Sequence, residues 1–137
     1  MTPGQIEEAE AELGRAGRAL AEARLLLDAE SLEGAASRLY YAAFHATRAA
    51  LLVRGAFSKT HSGQIALFTE MFGSAPLLGR LLELRAQADY ELGESMLAPE
   101  TIHRNLSEVE GFLVRCTEIV AEAAARGANE PDPPADR

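Results

Sequence analysis

The sequence predicts an all-α fold, an antiparallel up-and-down bundle of four or five helices. Alanine, leucine, glutamate and arginine dominate the composition and favour helices, whereas β-branched residues are sparse. Apolar residues recur at helical spacing in long stretches, which are separated by short breaks containing Gly, Pro or Ser. Short connections between long helices favour antiparallel neighbours. A chain of 137 residues supports one such domain with one core.

Capping residues set the predicted helix boundaries. Thr2, Pro3 and Gln5 are spaced as a capping box at the start of the first helix. Ser31 and Thr60 are the predicted caps of the second and third helices. In chain order, the five predicted helices span about 3–28, 32–54, 61–72, 77–90 and 99–126.

The sequence predicts a single helical domain over residues 1–127, with Gly127 ending the last helix. Residues 128–137 form an acidic, Pro-rich tail, which we expect to be disordered because it cannot bury enough apolar surface. The first residues lack the positive charge and apolar run of a signal peptide. No stretch approaches the roughly 20 apolar residues that span a bilayer. We therefore expect a cytoplasmic protein.

The charge balance limits the kinds of partner. A formal net charge of −8 disfavours a protein that coats nucleic acid non-specifically, because that function needs a broad positive surface. A local group of arginines at one site remains compatible with this balance. The one cysteine, Cys116, lies in an apolar helical pattern and is predicted to be a small buried residue.

A polar stripe runs along the second predicted helix. Arg38, Tyr41, His45 and Arg48 are spaced i, i+3, i+7 and i+10, so they share one helix face. One interpretation is a surface that faces RNA or phosphate, with His45 available for proton transfer. The other is a contact between helices or subunits, in which tyrosine and histidine are buried and the arginines pair with acidic residues.

A second polar group lies in the fourth predicted helix. Arg85 and Asp89 are four residues apart and can pair along the helix, and Tyr90 follows directly. In a functional interpretation, Arg85 binds an anion, Asp89 orients it, and the Tyr90 hydroxyl is a nearby donor. In a structural interpretation, the same pair fixes helix packing.

A third polar group, Lys59, Thr60 and His61, lies at the start of the third predicted helix. Free amide groups and the positive end of the helix dipole make such a position suitable for an anion. The alternative is simple capping by Thr60, with His61 on the surface.

The sequence predicts no metal site and no cofactor. His45, His61 and His103 are widely separated, and no two of them form a His-x-x-x-His pair. The chain also lacks a Gly-rich phosphate loop, a nucleophile elbow around serine and a dinucleotide-binding fingerprint.

Three segments together carry a family resemblance. They are residues 38–46 in the second predicted helix, residues 59–63 with Phe68 in the third, and residues 84–90 in the fourth. In this order and spacing they resemble the HEPN family (higher eukaryotes and prokaryotes nucleotide-binding). Within it, they are most similar to the small stand-alone prokaryotic branch with an Arg-x-x-x-Asp-Tyr motif. The resemblance covers about residues 7–123.

The resemblance implies a bundle of four or five helices that forms a homodimer, with polar residues from two subunits meeting in a shared cleft. Many HEPN proteins are metal-independent ribonucleases that act as toxins. They are often encoded beside a minimal nucleotidyltransferase that serves as the antitoxin. The partners implied for this chain are therefore a second copy, a nucleotidyltransferase, and an RNA or nucleotide ligand.

The usual HEPN signature lies in the later helix of the bundle. It is an arginine followed, after four to six residues, by a histidine. Counting from Arg85, the position after four residues holds Tyr90. The resemblance therefore carries Arg85 over as an anion-binding residue but supplies no catalytic histidine. Cleavage through the RNA 2′-hydroxyl needs a base, and an unperturbed tyrosine with a pKa of about 10 is a poor one at neutral pH. His45 or His61 is then the expected base.

Two hypotheses follow. In the first, a dimer cleft binds RNA or a nucleotide phosphate, and the protein is one half of a toxin–antitoxin or nucleotidyltransferase pair with metal-independent ribonuclease activity. Its candidate catalytic residues are Arg85, Tyr90, His61 and His45, and its candidate ligand-binding residues are Arg38, Tyr41, Arg48, Lys59 and Asp89. In the second, the protein is a non-catalytic dimeric interaction module whose Arg/Asp/Tyr motif is structural.

Overall fold

The computed structural model describes residues 2–90 and 97–129. Every regular element in these two ranges is a helix, which confirms the predicted all-α fold. In chain order the helices are α1 (Pro3–Asp28), α2 (Leu32–Leu52), α3 (His61–Phe72), α4 (Pro76–Tyr90) and α5 (Pro99–Asn129).

All three predicted residues occupy N-cap positions, and two of them make the capping hydrogen bond. The Thr2 hydroxyl accepts a hydrogen bond from the Gln5 amide while the Gln5 side chain accepts one from the Thr2 amide, which is the predicted capping box. The Thr60 hydroxyl accepts from the Gly63 amide at 3.0 Å. Ser31 occupies the predicted N-cap position of α2, but its hydroxyl makes no capping hydrogen bond and its ψ of 82° is outside the usual extended geometry.

Two predicted helix ends differ from the structure, the second helix by two residues and the fifth by three. The second helix ends at Leu52 instead of residue 54, because the chain turns through Gly55 at a φ of 67° and the Ala56 amide donates to the Leu51 carbonyl. The fifth helix continues through Gly127 to Asn129. A glycine ends a helix where it adopts a positive φ, and Gly127 does not. The predicted tail from residue 130 onward lies outside the described residues.

The helix α2 lies at the centre of the bundle and contacts α1, α3, α4 and α5. Its contact with α1 is built largely from alanines, which let the two helix backbones approach closely. The buried alanines of this pair are Ala9, Ala16, Ala19 and Ala23 on α1, and Ala35, Ala36, Ala42, Ala43, Ala46, Ala49 and Ala50 on α2. The apolar stripe of α2 (Ala36, Leu39, Ala43, Ala46 and Ala50) is therefore buried, and the polar stripe lies beside it.

Larger apolar side chains fill the rest of the core. Leu39, Phe68, Leu81, Ile102 and Val109 are fully buried, and each such burial contributes about 1.5–3 kcal/mol. Cys116 is also fully buried, as predicted, and burial raises the pKa of its thiol to about 12. Within the described ranges, no helix combines the length and the apolar character that crossing a membrane requires.

Candidate functional site

Four residues from three helices meet on one side of the bundle: Tyr40 and Tyr41 of α2, His61 of α3 and Arg85 of α4. We call them the Arg85 cluster. Arg85 donates a hydrogen bond from Nη2 to the Tyr41 hydroxyl at 3.0 Å. Its guanidinium carbon lies 5.1 Å from the centroid of the Tyr40 ring and 4.9 Å from that of the Tyr41 ring. Both aromatic rings therefore hold the guanidinium group by cation–π contacts.

The position of α2 explains why the cluster forms. Neighbouring residues on a helix point about 100° apart, so Tyr40 and Tyr41 leave α2 in different directions. Tyr40 is 4% exposed and points toward α3, whereas Tyr41 is half-buried on the polar stripe. Arg85 on α4 contacts both rings and joins the two directions.

Tyr40 is hydrogen-bonded through its hydroxyl to Nδ1 of His61. Burial raises the pKa of Tyr40 to about 12, although the nearby Arg85 charge acts in the opposite direction. The phenol is therefore protonated at neutral pH. A protonated phenol can both donate and accept, so it can hold His61 in either neutral tautomer.

His61 is the first residue of α3 and is half-buried against the aromatic rings of α2. Its ring centroid lies 5.4 Å from that of Tyr40 and 4.7 Å from that of Phe44. Burial, and second the positive charge of Arg85, lower the pKa of His61 below its ordinary value of 6.5. The positive end of the α3 dipole acts in the same direction. His61 is thus an uncharged imidazole at neutral pH beside a permanent cation.

The loop before α3 fixes the position of His61. Ser58 and Thr60 fold over the first turn, and the Thr60 amide donates to the Ser58 hydroxyl. A Cβ atom at Gly63 would lie 2.0 Å from Oγ of Ser58 and 2.7 Å from Oγ1 of Thr60, so only glycine allows this close approach. Lys59 is exposed on the same loop.

The polar stripe of α2 is continuous over its first three members. The guanidinium carbon of Arg38 lies 4.7 Å from the Tyr41 ring centroid, and the rings of Tyr41 and His45 are stacked with centroids 6.5 Å apart. Arg48 is placed differently, because its guanidinium carbon lies over the Phe44 ring at 5.8 Å. The predicted stripe therefore divides, with Arg48 apart from the other three residues.

His45 belongs to a separate contact with α1. Its Nδ1 atom lies 2.6 Å from Oε2 of Glu12, a residue only 8% exposed. Glu12 also accepts a hydrogen bond from Nη1 of Arg15 at 2.9 Å. Of the two candidate bases, His61 lies in the Arg85 cluster, whereas His45 lies beyond Tyr41 and is engaged with α1.

Sequence reasoning missed Tyr40 and Glu12. The signal for Tyr40 was the Tyr40–Tyr41 pair, because adjacent residues on a central helix point in different directions and both directions meet neighbouring helices. The signal for Glu12 was its position four residues before Ala16, which places a carboxylate on the apolar face of α1. A charged residue on a buried face requires a partner, and His45 and Arg15 fill that role.

The backbones of Asp89 and Tyr90 form the last turn of α4, but their side chains lie outside the described part of the structure. The predicted Arg85–Asp89 pair and the predicted role of Tyr90 therefore stay predictions. His103 is exposed on α5, apart from the other two histidines. In the described ranges, no three His, Cys, Asp or Glu side chains are grouped in a way that could hold a metal ion.

The family model of the HEPN domain matches residues 9–119, from the second turn of α1 to the second half of α5. The chain belongs to the HEPN family. The resemblance seen in the sequence is thereby confirmed.

The relatives of this HEPN protein include UPF0332 proteins, a group within the same family. The UPF0332 protein of Thermotoga maritima is 32% identical over 117 residues, which cover 79% of this chain and 87% of the relative. A UPF0332 protein of Gloeobacter violaceus is 40% identical over 88 residues, or 64% of each chain. One from Pyrococcus horikoshii is 36% identical over 75 residues, which cover 55% of this chain and 53% of the relative.

The geometry bears directly on the missing signature histidine. In this HEPN protein, the histidine close to Arg85 comes from the start of α3 and not from the position after four residues in α4. The arrangement brings together a fixed cation, an uncharged imidazole and two tyrosine hydroxyls. Such a set can bind a phosphate and accept a proton from a neighbouring hydroxyl.

Proposed function

We propose that this HEPN protein binds RNA at the Arg85 cluster and cleaves it without a metal ion, through attack of the 2′-hydroxyl on the adjacent phosphorus. One observation carries the proposal: an imidazole whose pKa is lowered lies beside a positioned guanidinium group. An uncharged imidazole can accept a proton as a general base, and a guanidinium group can stabilise the negative charge of a pentacovalent phosphorane.

Arg85 binds and stabilises the phosphate in this proposal. A guanidinium group offers several donors in one plane and suits two oxygens of a phosphate. The Tyr41 hydroxyl and the two tyrosine rings hold this group in place before the substrate arrives. Preorganisation of this kind reduces the reorganisation needed in the transition state.

His61 acts as the base. When its Nδ1–H donates to the Tyr40 hydroxyl, its Nε2 atom is left with a free lone pair. That atom accepts the proton of the 2′-hydroxyl as the 2′-oxygen bonds to phosphorus. The bond from phosphorus to the 5′-oxygen then breaks, and the imidazolium returns the proton to that oxygen. The products are a 2′,3′-cyclic phosphate and a 5′-hydroxyl.

The proposal also includes partners. A homodimer places two Arg85 clusters in one cleft, with Asp89 orienting Arg85 and Tyr90 donating to the substrate. Arg48 and Lys59 are flanking cations for the RNA chain. A minimal nucleotidyltransferase is the proposed antitoxin, and cellular RNA in the cytoplasm is the proposed target. Family membership supports these proposals.

The rival function is a non-catalytic interaction module. One observation favours it: Arg85 joins α4 to α2 through Tyr41, which is what a structural motif would do. In that case, loss of Arg85 weakens folding or dimerisation and has no separate effect on RNA.

The test measures how tightly variants bind a labelled RNA in excess chelator. The 2′-hydroxyls of this RNA are methylated, so that it cannot be cleaved. Arg85→Met is compared with Arg126→Met, which removes the same charge near the end of α5. Our proposal predicts at least tenfold weaker binding for Arg85→Met alone, in a protein that remains folded and dimeric by circular dichroism and light scattering. Equal binding by both variants, or loss of the dimer with Arg85→Met, supports the interaction module instead.

A further inference from the structure

We infer that a second phosphate subsite lies beside the Arg85 cluster, in a cleft between α1 and α2, and that it holds the RNA chain beyond the nucleotide bound at Arg85. This inference rests on the proposed function for its ligand. The cleft has a volume of about 330 Å³, and its polar lining is Arg15, Arg18, Glu22, Arg38, Tyr41 and His45. The arginines of α1 belong to none of the motifs that the sequence analysis identified.

The cleft is a positive region on an acidic protein. Three arginines (residues 15, 18 and 38) meet two glutamates (residues 12 and 22), which gives a formal charge of +1 from these five side chains. The whole chain carries −8, so the remainder carries −9. A polyanion is therefore attracted to this cleft and repelled by much of the remaining surface.

A buried carboxylate, that of Glu12, holds two of the residues that line the cleft. The Glu12 side chain is 10% exposed and binds His45 at 2.6 Å and Arg15 at 2.9 Å. One carboxylate therefore positions two donors that line the cleft. At the rim, Arg38 and Glu22 are 3.9 Å apart, at the outer limit of an ion pair, and the Glu22 side chain is 55% exposed. A phosphate can replace this weak exposed partner.

Tyr41 connects the cleft with the Arg85 cluster. The guanidinium carbons of Arg38 and Arg85 lie 4.7 and 4.9 Å from the centroid of its ring, so they are less than 10 Å apart. A nucleic-acid strand places one phosphate about every 3.4 Å along the helix axis, so nearby phosphates of one strand can reach both groups.

The arrangement of Arg38, Tyr41 and Arg85 favours an RNA strand over a mononucleotide as the ligand, because the aromatic ring joins two cationic sites. Free phosphate shares the chemistry of the strand, and the experiment separates the two. A purely structural role for the Glu12–His45 pair predicts no response of the cleft to either ligand.

The experiment follows the imidazole resonances of the three histidines by nuclear magnetic resonance during titration with 2′-O-methylated RNA, as a dinucleotide and a hexanucleotide, and with inorganic phosphate. His45 reports on the cleft, His61 reports on the Arg85 cluster, and His103, exposed on α5, is the control. We expect the hexanucleotide to shift His45 and His61, the dinucleotide to shift mainly His61, and neither to shift His103.

Two variants of α1 test the cleft. Arg18→Gln removes a lining charge, whereas Arg24→Gln removes an exposed charge that pairs with Glu110 outside the cleft. We expect Arg18→Gln to weaken hexanucleotide binding about tenfold and to reduce the salt dependence of log K by about 0.7. We expect dinucleotide binding to stay unchanged, and Arg24→Gln to behave as the unmodified protein.

The outcomes separate the two proposals. A hexanucleotide that shifts His61 and not His45, or binding by Arg18→Gln equal to that by Arg24→Gln, overturns the second subsite and leaves the proposed function intact. A hexanucleotide that shifts neither histidine overturns both. A His45 shift that inorganic phosphate produces as readily as the hexanucleotide identifies a free-anion site and overturns the RNA path.

Discussion

The contact between Arg85 and Tyr41 should make a measurable contribution to the free energy of unfolding. Tyr41→Phe removes one partly buried hydrogen bond and keeps the ring, so we expect a loss of about 1 kcal/mol in the free energy of unfolding. Arg85→Met keeps most of the side-chain volume but also removes cation–π contacts with two rings, each contributing about 0.5–1 kcal/mol. We expect a loss of about 2–3 kcal/mol for that variant.

The two substitutions must be coupled if the contact exists. The double variant should lose about 1 kcal/mol less than the sum of the single variants, because the hydrogen bond is lost only once. Urea unfolding followed by circular dichroism measures all four proteins, and equal m-values confirm a common unfolded state. A coupling energy below about 0.3 kcal/mol would contradict the contact, since residues that do not interact show additive effects.

Further predictions concern single groups. Gly111→Ala should stabilise the protein by about 0.5–1 kcal/mol because its site is open, whereas Gly63→Ala should lose the Thr60 cap and be about 1–2 kcal/mol less stable than Gly111→Ala in urea unfolding. Cys116, with its pKa raised to about 12, should react with a thiol reagent at about pH 8 only after unfolding. The lowered pKa of His61 means that the unfolded chain binds the proton more readily. Stability should therefore fall as pH decreases below 6.5, and less steeply in His61→Gln, as urea midpoints would show.

Helix boundaries were predictable from the sequence wherever a local rule decides them. The Thr2 and Thr60 caps need only residues within one turn, so spacing alone locates the starts of α1 and α3. The end of α5 was not predictable in this way. Gly127 marks a helix end only if it adopts a positive φ, and that choice depends on what surrounds the helix terminus.

The site was only partly predictable, for a physical reason. Helical periodicity places Arg38, Tyr41 and His45 on one face, and the structure retains that row. The partners of these residues lie on other helices and follow from helix packing. Tyr41 meets Arg85 at a separation of 44 residues, and His45 meets Glu12 at 33. No local rule fixes such pairs, so the sequence could not decide between His45 and His61 as the neighbour of Arg85.

The rate of RNA cleavage in excess chelator by His61→Gln, compared with that by His103→Gln, tests whether His61 is the base. The substrate is a 5′-labelled RNA, and a matched strand with 2′-deoxy nucleotides is the control for chemistry at the 2′-hydroxyl. If His61 is the base beside Arg85, His61→Gln should cleave about 10²–10⁴-fold more slowly while His103→Gln cleaves at the rate of the unmodified protein. Cleavage by His61→Gln at the unmodified rate, or no cleavage of the RNA by the unmodified protein, would contradict this role of His61.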